Sequence, residues 1–131
     1  MITVIASIQQ DKYKTEIKSG SKLIISDEPQ NLGGQNLGFT PSELLASSLA
    51  SCTAITLKMY AERKKWDLAE AMIEVNFENE PAKNIAGMTM NIRLFGNLDA
   101  AQRKRLLEIA HNCPIHRVLQ KPIAIVTHLK D

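Results

Sequence analysis

The chain has 131 residues, 44 % of them apolar and 23 % charged, and its 16 basic and 14 acidic side chains leave a net charge of +2. That balance suits one domain over residues 1–131, long enough to bury a core without staples. No run approaches the roughly 20 apolar residues that span a bilayer, the start MITVIASIQQDKYK lacks the pattern of a signal peptide, and the short clusters KSGSK and ERKK carry none of the interleaved aromatics of a nucleic-acid surface. A cytoplasmic protein without membrane or nucleic-acid partners is the expectation.

Residues 2–8 and 12–18 read as strands separated by a polar QQD, and residues 22–26 follow an SGS turn, which predicts a three-stranded antiparallel meander. Residues 27–39, rich in Gly, Asn and Pro, predict a loop long enough to suggest a function. At Thr40-Pro41-Ser42-Glu43 the pattern changes to a capping-box spacing with proline at the first helical position. A helical pattern then runs to about Lys64, some 24 residues or roughly 36 Å. Leu45, Leu49, Cys52, Thr56 and Met59 lie along one face, and Leu44, Ala50, Ala54 and Leu57 cover much of the rest. So little charge before Lys58 predicts a central helix enclosed on most sides.

Residues 71–80 alternate through Ile73, Val75 and Phe77, and residues 88–96 through Met88, Met90, Ile92 and Leu94, which predicts a hairpin. Asp99 caps a further helix, with Leu106, Leu107 and Ala110 expected to face inward. Pro114 suits the start of a short helix over 114–120, and residues 122–129 read as a final strand. Apart from that short helix the order is βββ-α-ββ-α-β, an α+β domain with strands curled around a long helix.

The two cysteines, Cys52 and Cys113, lie 61 positions apart. Cys52 has apolar neighbours Leu49 and Ile55 and reads either as a core residue or as a reactive thiol in an apolar pocket. Cys113 falls near the N-cap of the short helix, where free N–H groups and the helix dipole favour a thiolate and where His116 and Arg117 add positive charge. It reads equally as an incidental residue in a helix-breaking turn. A cytosolic address argues against a structural disulfide framework. Zinc would need four ligands, and Cys113 and His116 with His111 nearby offer one close pair, so no metal and no cofactor are expected. Ser47, Ser48 and Ser51 lack a G-x-S-x-G setting and read as small helix-packing residues.

The GG loop, the helix entry TPSELL, the stretch SLASCTAITLKMYAERKKW and the later CPIHRVL together resemble the OsmC/Ohr family of cysteine-based peroxidases. The likeness runs over nearly the whole chain and is strongest to the OsmC-like redox protein subgroup. It implies an OsmC-like fold, with antiparallel sheets wrapped around a long central helix in an intertwined homodimer. It also implies that Cys52 attacks an organic hydroperoxide, or hydrogen peroxide, and becomes a sulfenic acid. Cys113 would then resolve it to a disulfide that an external dithiol, lipoyl-type or other, reduces.

A buried thiol has a raised pKa and needs help to ionise. In the family an arginine of the N-terminal strands, paired with a glutamate at the start of the long helix, supplies it. Here no arginine precedes Arg63, so Lys12 and Lys14 are the candidates, with Lys18 beyond them, and a lysine lacks the bidentate fork. The family's glutamate position is Ser42. Glu43 lies one residue on, about 100° around the helix, and reads better as the capping-box residue. Arg117 is an alternative cation. The runner-up is an OsmC-like protein that binds a small apolar ligand or senses redox state, and a third reading is thiol–disulfide exchange with other proteins.

Overall fold

Alternating apolar residues build the first sheet. In the computed structural model, which describes all 131 residues, β1 (Ile5–Ile8), β2 (Thr15–Ser19) and β3 (Lys22–Ser26) form an antiparallel sheet in the order β1-β2-β3. Ile17 stands between Ala6 and Ile24 in the register. β1 and β2 both begin three residues later than their predicted starts, and β3 matches its prediction. This meander belongs to the first of two compact units, Met1–Ala46, and the second is Ser47–Asp131.

The loop after β3 is more ordered than its composition suggests. A 3-10 turn, Gln30–Leu32, ends on Gly33 at φ 93. The Asp27 carboxylate, 1 % exposed, accepts backbone N–H bonds from Tyr13, Glu28, Gln35 and Leu37 at 2.7 to 3.2 Å. Gly34 lies so close to the Glu28 carbonyl that a side chain there would meet it.

α1 (Pro41–Lys64) starts where the sequence predicts. Thr40 N–H donates to Glu43 Oε1 at 2.9 Å and Glu43 N–H to Thr40 Oγ1 at 3.1 Å, a reciprocal capping box. Its buried stripe is Leu49, Thr53, Leu57, Tyr60 and Ala61. The expected face is therefore corrected: Leu45 and Met59 are exposed, Met59 by 67 %, because the helix packs through positions one residue round from those chosen. Within this chain α1 is covered along one stripe, not on most sides. By length and composition alone it would pass for a membrane span, with a mean hydropathy of 1.2 over an 18-residue window. Its serines and threonines keep it from being a continuous apolar run.

In the second unit β4 (Glu70–Glu80) and β5 (Ile85–Phe95) form the predicted hairpin through a 3-10 turn at Pro81–Lys83. Ala71, Ile73, Val75 and Phe77 pair with Leu94, Ile92, Met90 and Met88, all half-buried on one face. α2 (Ala100–Ala110) begins with a complete capping box between Asp99 and Gln102. Leu106, Ile109 and Ala110 are buried, whereas Leu107, expected inside, is exposed because it stands about 100° from that stripe.

The core joins Leu57, Tyr60 and Ala61 of α1 to Leu68, Leu98 and the buried face of α2, with Ile73, Met90, Ile92 and Leu94 packed against it. Burying a leucine such as Leu57 or Leu106 completely is worth about 2 kcal/mol. Arg103 ties the end of β5 to α2 by donating to the carbonyls of Leu94, Gly96 and Leu98. Lys58 Nζ donates to the Leu68 carbonyl at 2.7 Å. A short α3 (Pro114–Leu119) follows.

The predicted strand over residues 122–129 is not formed. Its alternating residues have no neighbouring strand to pair with, and Ile125, Val126 and Leu129 are exposed. The element order is thus βββ-α-ββ-α-α, an α+β fold with antiparallel sheets and a long helix.

Candidate functional site

Helix α1 carries Cys52 on the turn after buried Leu49, and the turn between α2 and α3 carries Cys113. Proline at the first position of α3 makes Cys113 the N-cap, with φ −59 and ψ 130. Pro114 has no N–H to lose there, so the chain can turn sharply and bring the second thiol back toward α1. The two thiols meet closely enough to influence each other, and both are reduced. Cys113 is wholly buried, at 0 % exposure, and Cys52 is half-buried.

Burial and the contact with Cys113 push the Cys52 thiol above the ordinary thiol range. Two donors work in the opposite direction, the backbone N–H of Ile115 and the hydroxyl of Thr56, and they do not overcome it. The Ile115 N–H is free to point at Cys52 because it lies in the first turn of α3, where helical N–H groups lack internal partners. The sequence expectation placed Thr56 on the Cys52 face without giving it a role. Its four-residue spacing from Cys52 was the available signal.

The other candidate residues have different surroundings. Glu43 caps α1 as described. Arg117 is exposed and its guanidinium donates to Asn112 Oδ1 at 3.1 Å. Lys12 and Lys14 stand between β1 and β2 in the first unit, and Lys14 borders a polar cleft with Ser7, Gln9, Asp11 and Glu16. None of the groups that bear most on the Cys52 thiol is a cation. His116 lies half-buried one turn after Cys113, with its Nδ1 shut away from solvent and without a hydrogen-bond partner. The ring of His111 meets it edge-on, with centroids 5.5 Å apart and planes at 78°. His111 Nδ1 itself lies 3.1 Å from the Leu107 carbonyl. No three His, Cys, Asp or Glu residues are grouped to hold a metal ion.

Two neighbouring thiols, one half-buried and one enclosed, thus meet where α3 begins. At neutral pH the raised pKa holds Cys52 mainly as the thiol, so its attack on any oxidant is slow until a proton leaves.

Comparison with known proteins agrees with this architecture. A family model described as OsmC-like protein matches residues 33–128. A crystal structure from Psychrobacter arcticus 273-4, named for osmotic stress induction and a detoxification response, is similar at 26 % identity and TM-score 0.77, covering 90 % of this chain and 88 % of that one. An OsmC-like protein of Mycoplasma pneumoniae has the same fold at 20 % identity and TM-score 0.77, over 92 % and 87 % of the two chains. The organic hydroperoxide resistance protein OhrB of Bacillus subtilis is similar at 19 % identity and TM-score 0.61, over 92 % and 90 %. A search of curated proteins gives no match.

Proposed function

The chain belongs to the OsmC-like family, and on that premise we propose that it is a thiol peroxidase acting on organic hydroperoxides, with hydrogen peroxide as a lesser substrate. The observation that carries this reading is the meeting of Cys52 and Cys113 across 61 residues of sequence. Some structural neighbours are named organic hydroperoxide resistance proteins, which supports the same chemistry.

In the proposed cycle Cys52 loses its proton and attacks the outer oxygen of the hydroperoxide. The O–O bond breaks, the alcohol leaves with a proton, and Cys52 becomes a sulfenic acid. Cys113 attacks that sulfur, water leaves, and a disulfide forms. A dithiol, lipoyl-type or other, then returns both cysteines to thiols while becoming a disulfide itself. Partial exposure suits Cys52 to meet the substrate, and complete burial suits Cys113 to the internal step.

The working unit in this reading is one OsmC-like domain that forms an intertwined homodimer in the cytoplasm. Uncovered apolar residues on α1, Leu45, Ile55 and Met59, and the unpaired residues 122–129 support a second copy. A helix this apolar and this little covered within one chain needs another surface.

A second reading rests on a specific observation: the thiol of Cys52 has a raised pKa and no cation among its main influences. That favours an OsmC-like protein that senses redox state or binds a small apolar ligand. One experiment separates the two. Reduced protein is mixed with one equivalent of cumene hydroperoxide and followed by intact mass. The peroxidase loses two hydrogens within seconds, Cys52→Ser loses none, and Cys113→Ser retains an oxidised Cys52. Unchanged mass after minutes, with hydrogen peroxide as well, rejects the peroxidase.

A further inference from the structure

The outer face of the β4–β5 hairpin holds two opposite charges that do not pair. The register sets Met72 across from Arg93 and Glu74 across from Asn91. Glu74 and Arg93 are thus diagonal neighbours on one face, about 7–8 Å apart at the backbone, a gap that long side chains close readily. A salt bridge would be the ordinary outcome. Yet the ion pairs of this chain are Lys83–Glu80 and Arg105–Glu108, and neither Glu74 nor Arg93 belongs to one.

The carboxylate is held by other groups instead. Asn91 Nδ2 donates to Glu74 Oε1 at 2.9 Å, and Asn76 Nδ2 donates to the same oxygen at 3.1 Å. These amides, Asn91 foremost, hold the carboxyl below its ordinary value of 4.5, so Glu74 stays ionised at neutral pH. Its Oε2 is left without a donor, and the Arg93 guanidinium is left without an acceptor. Both charges line one cavity of about 490 Å3, together with Met72, Ile73 and Asn91. That volume is in the range of small-molecule sites, in which a few placed polar groups fix a ligand's orientation. Met72, 48 % exposed, supplies an apolar wall.

A fixed anion, an unpaired cation beside it and an apolar wall select a ligand with the complementary features. A ligand with one charge would leave the other group unanswered, and a neutral one would leave both. An α-amino acid carries its ammonium and carboxylate one carbon apart, close enough to fit between diagonal neighbours. The free Oε2 suits the ammonium, and the guanidinium fork matches a carboxylate in two parallel bonds. We propose that this cavity binds a free α-amino acid with an apolar side chain, its ammonium on Glu74, its carboxylate on Arg93 and its side chain against Met72. Neither cysteine takes part, so the site stands or falls apart from the peroxidase reading.

The test titrates L-leucine into the reduced full-length protein and follows the backbone amides by NMR. Saturable shifts should fall on residues 72–74 and 91–93. Two analogues each lack one charge, 3-methylbutylamine the carboxylate and 4-methylpentanoate the ammonium. Each should bind about tenfold more weakly than leucine, the worth of one charged contact. Glu74→Gln and Arg93→Gln should weaken leucine by a similar factor. Glu74→Gln should bind 4-methylpentanoate no worse than the wild type does, and Arg93→Gln should do the same with 3-methylbutylamine. The analogue series on the wild type needs no variant and decides alone if a variant fails to fold. Absence of a saturable shift, or shifts confined to other residues, overturns the proposal. So do analogues that bind as well as leucine, which marks mere apolar contact at Met72. Amides of this face that shift with protein concentration and not with leucine make it a contact between copies, and that outcome overturns it too.

Discussion

Asp27 and Cys52 are two acids held out of water, one in each unit, and the chain treats them in opposite ways. Burial opposes the charge on Asp27, but four backbone N–H groups, from Glu28, Leu37, Tyr13 and Gln35, outweigh it and hold the carboxyl below its ordinary value of 3.8. Burial likewise opposes a charge on Cys52. There the second thiol reinforces it, and two donors are too few to reverse it. The count and arrangement of donors separates a group that stays charged from one that stays neutral. A carboxylate with four backbone donors remains ionised, and a thiol with two remains protonated.

The largest effect expected from breaking this contrast is at Asp27. Each of its oxygens takes two N–H bonds, Oδ1 from Tyr13 and Glu28 and Oδ2 from Gln35 and Leu37. Asp27→Asn replaces one oxygen by an NH2 that faces two donors, and Asp27→Ala removes both acceptors. Either should lower Tm by about 5–10 °C, as read by a thermal melt, whereas Cys52→Ser should change it little. Because the folded pKa of Asp27 lies below the unfolded one, its stabilisation is complete above about pH 4 and disappears as the pH falls through the folded value. Wild type and Asp27→Ala should thus converge in strong acid. A constant Tm gap down to pH 2 would show that the wrapped charge is not what stabilises the loop.

A smaller effect concerns the other acid. With a pKa above the ordinary thiol range, Cys52 is overwhelmingly the neutral thiol at pH 7. Iodoacetamide should label it slowly there, and the rate should climb roughly tenfold per pH unit up to pH 9. A plateau near pH 7 would mean that a cation reaches the thiol in solution and would restore the full family pattern. The linked stability has the opposite sign to that of Asp27: it is present below the unfolded thiol pKa and is lost as the pH rises through the folded one.

The smallest effect tests one donor. Thr56→Val keeps the shape and removes the hydroxyl that favours the thiolate of Cys52. Labelling at pH 8 should slow about two- to threefold, a fraction of a pKa unit. An unchanged rate would leave the Ile115 N–H as the operative donor.

What was legible in the sequence was local. The capping box at Thr40, the helix cap at Asp99 and the alternation of β4 and β5 depend on residues a few positions apart, and they were read correctly, although β5 begins three residues before its predicted start. The misreadings have a common cause. Residues 122–129 alternate as a strand does, but alternation supplies no partner. Leu107 is as apolar as Leu106, and only packing decides which of the two faces the core. The stripe on α1 was displaced because small residues surround that helix and leave its face ambiguous. Asp27 was passed over because its donors come from Tyr13, Gln35 and Leu37, contacts that no periodicity announces. The meeting of the cysteines was legible only through a family resemblance, since nothing local joins two residues so far apart.

The unequal exposure of the thiols has a use beyond the reaction cycle. A protein or small dithiol arriving from solution can reach the sulfur of Cys52, but Cys113 is enclosed. In the proposed cycle any covalent complex with the electron donor therefore forms on Cys52, and the donor's own second thiol releases it. A dithiol donor whose second thiol is replaced by serine loses that release. It would be retained on Cys52 as a disulfide-linked adduct, identifiable by mass.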